Sequence, residues 1–205
     1  MMDAGAFLNL ETLRSRLYAD PPSSEPKRSD FDLNPHVRPE GRRVLRLSAV
    51  LVPIVARAEP TVLFTRRSIA LSRHAGQVSF PGGAADPVDT SPAATALREL
   101  QEETGIDPSF VTVAGYLDAY ETVTGFSVLP VVGLVAEGFA LAPDAREVDA
   151  IFEVPLAFLL DPANCREDKA EFKGSTRRFY VFEYESHYIW GATAAMLRAL
   201  AGRLQ

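Results

Sequence analysis

Three glutamates on one predicted helix are the residues in this chain whose types and spacing could do chemistry. Glu99, Glu102 and Glu103 stand at positions i, i+3 and i+4, so a helix places their carboxylates side by side on one face. Like charges this close repel each other unless a cation joins them, and crowded hard oxygen ligands suit Mg²⁺ or Mn²⁺. A solvated acidic face is the simpler interpretation, but it does not account for the Pro-Gly-Gly turn at 81–83. The pattern therefore indicates a divalent metal site that binds a diphosphate.

The helix that carries these glutamates is bounded by residues that start and stop helices. Ser91 is a good N-cap, the proline after it fits the first helical position, and Gly105 can adopt the left-handed conformation that ends a helix. These signals predict a helix over Pro92–Thr104. Arg98 can pair with Glu102 one turn later, yet one guanidinium does not neutralise three carboxylates.

The segment from Gly83 to Ile106 resembles the Nudix box, whose usual form is G-x5-E-x7-R-E-U-x-E-E-x-G-U, where U is aliphatic. The second half of the box is complete from Arg98 to Ile106. The first half departs from it, because Asp89 stands where the box has Glu, and eight residues instead of seven then precede Arg98.

This departure, together with the run L-x-x-H-x-G-Q-x-S-F-P-G-G over 71–83, is similar to the coenzyme A diphosphatase branch of the Nudix hydrolases. Asp86 and Asp89 occupy the acidic positions that follow that run in the branch. The resemblance extends from about Arg43 to Ala195 through several further segments. They are Thr124–Phe126, Val128–Gly133, Glu147–Leu156, Ile189–Gly191 and Thr193–Ala194.

The resemblance implies a fold, a reaction and a substrate. The expected fold is α/β (α+β), a Nudix fold with a mixed β-sheet sandwiched between helices. The expected enzyme is a Mg²⁺- or Mn²⁺-dependent hydrolase that cleaves coenzyme A, or an acyl or oxidised form of it, to 3′,5′-ADP and 4′-phosphopantetheine. Two alternatives stay open: a Nudix hydrolase of another nucleoside diphosphate such as ADP-ribose, and a non-catalytic module that binds a nucleotide.

Glu99, Glu102 and Glu103 are the expected metal ligands and belong to the expected catalytic set. Metal-activated water attacking phosphorus needs a base, which is one of these glutamates or a carboxylate from a distant loop. Glu147 and Glu121 are the candidates for that loop carboxylate, and Glu147 completes the catalytic set with Arg98, which is assigned to orienting Glu102. A surface ion pair between Glu147 and its neighbour Arg146 is an equally weighted interpretation.

The expected substrate contacts precede or form the Gly-rich turn; they are Arg67, His74, Gln77, Gly82 and Gly83. Arg66 and Arg73 add positive charge, and for Arg66 solvation of a strand end is an equally weighted interpretation. His74 invites a role as general base, but a histidine that bonds to the backbone of the turn is the stronger expectation. The two glycines let the backbone pass close to phosphate and metal.

Composition excludes several classes of function. The chain has 205 residues, 47% of them hydrophobic, and a net charge of −6, which disfavours nucleic acid as a partner. No apolar run is long enough for a membrane span, and no secretory signal is evident, so a cytoplasmic protein with a small-molecule substrate is expected. Cys165 is the only cysteine and lies in a loop-like stretch, which excludes an intrachain disulfide. Homodimer formation is left open.

The division expected for the chain is an N-terminal helix and extended arm over 1–42 and a Nudix domain over 43–205. The spacing of Phe7, Leu10, Leu13 and Leu17 indicates an amphipathic helix that packs on the domain or on a second subunit. Apolar and β-branched runs predict strands. They are Arg46–Ala56, Thr61–Thr65, Phe110–Tyr120, Ser127–Ala136, Val148–Val154 and Arg178–Tyr184. A last helix is expected over Trp190–Ala201.

Overall fold

The computed structural model describes residues 10–23, 25–41, 43–72, 74–172 and 174–205. Phe7 and Arg73, which the sequence singles out, lie outside these residues. The helices are α1 (Leu10–Arg16), α2 (Pro92–Thr104), α3 (Leu156–Leu160) and α4 (Ala192–Leu204). The strands are β1 (Arg28–Ser29), β2 (Arg46–Val55), β3 (Thr61–Arg67), β4 (Val78–Ser79), β5 (Gly82–Ala84), β6 (Val111–Tyr116), β7 (Tyr120–Glu121), β8 (Phe126–Val135), β9 (Val148–Pro155), β10 (Cys165–Phe172), β11 (Ser175–Tyr184) and β12 (His187–Trp190).

A parallel pair of long strands forms the centre of the larger sheet. β2 and β8 pair along their whole length, from Arg46 opposite Phe126 to Val55 opposite Val135. Both strands are apolar runs, as expected for strands that are covered on both faces. Among the described residues this sheet has nine strands, with β3 and β5 beside β2 and with β6 and β7 beside β8. Strands β10, β11 and β12 form a separate antiparallel sheet.

Helices cover both faces of the larger sheet. On one face α2 buries Leu100 against Leu51 and Leu63. On the opposite face Phe64 and Ile54 pack in a cluster with α1, α3 and α4. Because neighbouring residues of a strand point to opposite faces, the apolar runs of β2 and β3 supply both clusters. The expected mixed β-sheet sandwiched between helices is confirmed.

Strands β2, β3, β8, β9 and β11 lie where the sequence predicts strands, although β11 begins three residues earlier, at Ser175. The sequence does not predict β10, and three local expectations are wrong. The run over 110–120 divides into β6 and β7, with a register irregularity next to Gly115. Trp190 ends β12, and α4 begins only after Gly191, whose φ is 66°. Cys165 opens β10 and does not lie in a loop. Helix α4 also extends beyond the expected end at Ala201 to Leu204, which is buried.

The N-terminal segment is bonded to the rest of the chain at several points. Leu13 of α1 is buried in the same cluster as α4, so this helix packs on its own domain. β1 pairs with β7, and the Asp30 carboxylate accepts hydrogen bonds from the Tyr120 hydroxyl and the Val123 amide. The side chain of Asn34 exchanges two hydrogen bonds with the backbone of Arg178. The division at residue 42 stays a prediction.

Candidate active site

Helix α2 has the bounds that its capping residues predict. The Ser91 hydroxyl accepts a hydrogen bond from the Ala94 amide at 3.1 Å. Gly105 has a φ of 76°, and a Cβ there would lie 2.7 Å from the Cβ of Ala142, so glycine is required both by conformation and by space. These contacts fix where the helix starts and stops, and hence the positions of its glutamates.

Glu103 lies at the buried side of the helix. Its side chain is held by two donors: the Thr65 hydroxyl, 3.1 Å from Oε2, and the backbone N–H of Gly82. Burial raises the pKa of Glu103 to about 7, although these donors and the charge of Arg67 favour the ionised form. A carboxylate this deeply buried is unusual unless it has a partner, which is consistent with a cation as its working partner.

Glu99 lies against the Gly-rich turn. A Cβ built on Gly83 would lie 2.4 Å from Glu99 Oε1, so the glycine leaves the space that this carboxylate fills. Burial raises the pKa of Glu99, Arg98 opposes that shift, and the charges of Glu102 and Glu147 raise it further. At Gly82 the reason for glycine differs, because a Cβ there would lie 2.6 Å from the backbone of β2.

Arg98 is the centre of an ion-pair network. Its guanidinium donates to Glu99 at 2.9 Å and to Glu102 at 3.0 Å, and it contacts both carboxylate oxygens of Asp89. Arg98 holds the pKa of Asp89 well below its usual range. The sequence predicts only the Glu102 contact. The contact with Asp89 could have been expected from the acidic residue in the first half of the box. The one-residue insertion changes the spacing between that position and Arg98.

The loop between β3 and β4 carries the expected substrate contacts. The backbone of Arg67 exchanges hydrogen bonds with Gln77 and Gly76, and this closes the loop. His74 has a φ of 57°, and its Nδ1 lies 2.8 Å from Gln77 Oε1, so these two side chains bond to each other. This contact favours a structural role for His74. Both residues remain predicted substrate contacts.

Arg66 and Arg67 lie on opposite faces of β3, as alternation in a strand requires. The charge of Arg67 acts on Glu103, whereas that of Arg66 acts on His187, which stacks on Phe152 at the other face. The Arg67 Nε is buried and has no hydrogen-bond partner in the described structure. Because its charge acts on the glutamate side of the sheet, Arg67 is better placed than Arg66 to contact a phosphate there.

The two candidates for the loop carboxylate are in different surroundings. Glu121 pairs with Arg43 at 3.0 Å and with Arg38 at 3.8 Å, and it is therefore engaged elsewhere. Glu147 is exposed, its carbonyl accepts the Ser68 amide at 2.8 Å, and its charge acts on Glu99. Arg146, the suggested surface partner of Glu147, instead pairs with Asp144. The geometry therefore favours Glu147 over Glu121.

The donor set at this site fits a hard divalent cation. Glu99 is partly buried and Glu103 is buried, and the charge of Glu99 raises the pKa of Glu103, a cost that a cation relieves. Among the described residues, no three His, Cys, Asp or Glu side chains are already arranged as a metal-binding group. Arg98 holds Glu99 and Glu102, and Thr65 holds Glu103. Glu102 is more than half exposed and can turn at little cost.

Comparison with known proteins shows the family. The NUDIX domain matches residues 45–179, and the chain belongs to the Nudix family. It is similar to an uncharacterized Nudix hydrolase, NudL, of Escherichia coli O7:K1, with 46% identity over 156 residues that cover 76% of this chain and 81% of that protein. NudL of E. coli K12 is 45% identical over the same shares. A solved structure, DR0079 of Deinococcus radiodurans, shares the fold at a TM-score of 0.50 with 13% identity, over 79% of this chain and 86% of that one.

Family and fold together define the class of enzyme. The chain is a Nudix-type pyrophosphatase, a hydrolase that acts on phosphorus anhydrides. Nudix hydrolases generally need divalent metal ions. In the part of the chain that the structure describes, no helix is long and apolar enough to cross a membrane.

Proposed function

We propose that this enzyme hydrolyses coenzyme A, or an acyl or oxidised form of it, to 3′,5′-ADP and 4′-phosphopantetheine or its acyl counterpart. The observation that carries the substrate is the run over 71–83, which resembles the coenzyme A diphosphatase branch and leads directly into the Gly83–Glu99 contact. The similarity to NudL over 156 residues includes the same region of the chain and supports a shared Nudix hydrolase activity.

Glu99, Glu102 and Glu103 are the residues that would hold Mg²⁺ or Mn²⁺. When bound, such an ion neutralises charge on the diphosphate and lowers the pKa of a water molecule. In the reaction a water oxygen forms a bond to one phosphorus, and the bridging P–O bond breaks. The electron pair of that bond stays with the leaving phosphate.

The chain's own residues have separate tasks in this reaction. Glu147 accepts the proton that the attacking water loses, for which its exposure and its position near Glu99 are suited. Arg67, whose charge acts on Glu103, offers its guanidinium to a phosphate oxygen. Arg98 holds Glu99 and Glu102 in place through its guanidinium. His74 and Gln77 shape the loop that the substrate meets.

The test is incubation of the purified protein with coenzyme A and, separately, with ADP-ribose, each with and without Mn²⁺. Products are identified by chromatography. Metal-dependent release of 3′,5′-ADP from coenzyme A alone supports the proposal. Cleavage of ADP-ribose instead would keep the reaction and overturn the substrate, and binding without turnover of either compound would favour a non-catalytic module.

A further inference from the structure

A threonine outside the Nudix box contacts the most deeply buried glutamate of the site. Thr65 lies in β3, is fully buried, and places its hydroxyl oxygen 3.1 Å from Glu103 Oε2. The carbonyl and hydroxyl oxygens of Ser79 are the other partners within reach, both at 3.4 Å. A threonine hydroxyl has one proton to donate, and a carboxylate is the stronger and here the nearer acceptor. The proton of Thr65 therefore goes to Glu103.

The Glu103 carboxylate is held between two strands. One donor, the Gly82 amide, belongs to β5, which pairs with β2. The other donor is Thr65, whose own strand is paired on both sides, with Ser79 and with Ile151. A β-branched side chain has few rotamers, so the hydroxyl direction is set by the backbone. Together the two donors fix the carboxylate plane while its other lone pairs stay available.

We propose that Thr65 is a positioning residue, whose hydroxyl orients the Glu103 carboxylate for binding of the divalent cation. This inference rests on the proposed metal-dependent hydrolysis. Partners that hydrogen-bond to metal-binding side chains fix the orientation of the ligand, and their loss costs about 10–100-fold in metal affinity or activity. Thr65 is fully buried and contacts the glutamate, so its loss acts on metal binding and turnover through Glu103.

The experiment compares variants that differ in the hydroxyl. Thr65→Val keeps the branched shape and removes the donor, and Thr65→Ala and Thr65→Ser differ from each other only by the hydroxyl oxygen. Thr193→Val is the matched control, because it removes a buried hydroxyl that bonds to the Val78 carbonyl at 3.3 Å and does not contact the glutamates. Mn²⁺ binding is followed without substrate, from the electron paramagnetic resonance signal of the free ion. kcat and KM are measured with coenzyme A.

Thr65→Val is expected to bind Mn²⁺ about 10–100-fold more weakly and to lose kcat by a similar factor. Thr65→Ser is expected to stay close to the wild-type protein, Thr65→Ala to follow Thr65→Val, and Thr193→Val to bind Mn²⁺ normally. Equal Mn²⁺ binding by Thr65→Ser and Thr65→Ala would overturn the inference, even if Thr65→Val does not fold. A wild-type protein that neither binds Mn²⁺ nor hydrolyses a diphosphate would instead overturn the proposed function, and this inference with it.

Discussion

Replacing Gly83 by alanine should separate activity from stability. The new Cβ would lie 2.4 Å from Oε1 and 2.5 Å from Cδ of Glu99, about 1 Å inside ordinary contact at 3.4 Å. The obstructed atoms are the end of a flexible side chain, so the carboxylate moves aside and the fold survives. A displacement of about 1 Å in a catalytic group costs on the order of 10²-fold in rate, which corresponds to about 2.7 kcal/mol of transition-state stabilisation.

The assay is kcat/KM for Mn²⁺-dependent diphosphate hydrolysis, measured together with the thermal unfolding midpoint. Gly202→Ala is the control, because nothing lies within 4 Å of a Cβ at that position. Gly82→Ala is the opposite case, because its Cβ would lie 2.6 Å from the Ala49 carbonyl oxygen and from Val50 Cα. These are backbone atoms of a paired strand and cannot move aside, so this variant should lower the unfolding midpoint. Activity of Gly83→Ala within about threefold of the wild type, with an unchanged midpoint, would refute the assignment of Glu99 to the site.

Three further variants test other contacts. Glu103→Gln should lower turnover by about 10²-fold or more while the protein stays folded, because the amide is a poor ligand for a hard cation; activity near wild type would remove Glu103 from the metal site. Arg98→Lys should lose about tenfold in kcat, since an ammonium cannot reproduce the forked contacts to three carboxylates; an unchanged rate would show that one contact suffices. Hydrogen bonds from Arg57 hold the pKa of Glu153 below its usual value, so this pair stabilises the fold above about pH 4.3 and loses that contribution as the pH falls through the lower, folded-state pKa. Glu153→Gln should therefore destabilise by about 0.5–1 kcal/mol at pH 7 in denaturant unfolding, and by less at pH 3; a difference that does not vary with pH would contradict the ion pair.

The Nudix helix could be predicted to the residue because every signal for it is local. The cap, the proline and the terminal glycine all act on neighbours within four positions. The close approach of Ala142 to Gly105 also requires a glycine at the end of the helix. Strands β2 and β8 were predicted for a similar reason, since most of their residues are buried and apolar.

Strand β10 shows why other elements could not be predicted. Its sequence, CREDKAEF, alternates charges of both signs, and most of its residues are exposed. It forms because β11 pairs with it from Cys165–Phe182 to Phe172–Ser175, and among the described residues it has no other neighbour in the sheet. An edge strand with charged side chains has no apolar period to detect, and charges on an edge discourage pairing with other chains. Strand β12 was not predicted either, because helix α4 begins only one residue after it and the two elements were read as one helix start at Trp190.

Within the site, the distance along the chain between partners separates what could be predicted from what could not. The contact of Arg98 with Glu102 spans one helical turn and follows from spacing alone. The contact of Glu103 with Thr65 spans 38 residues, and it depends on how α2 lies across β3, which no local pattern encodes. The expected metal ligands of the box thus all lie in one helix, whereas the orientation of the buried Glu103 carboxylate depends on a strand outside the box. Substitutions in β3 should therefore alter metal binding even where every residue of the Nudix box is intact.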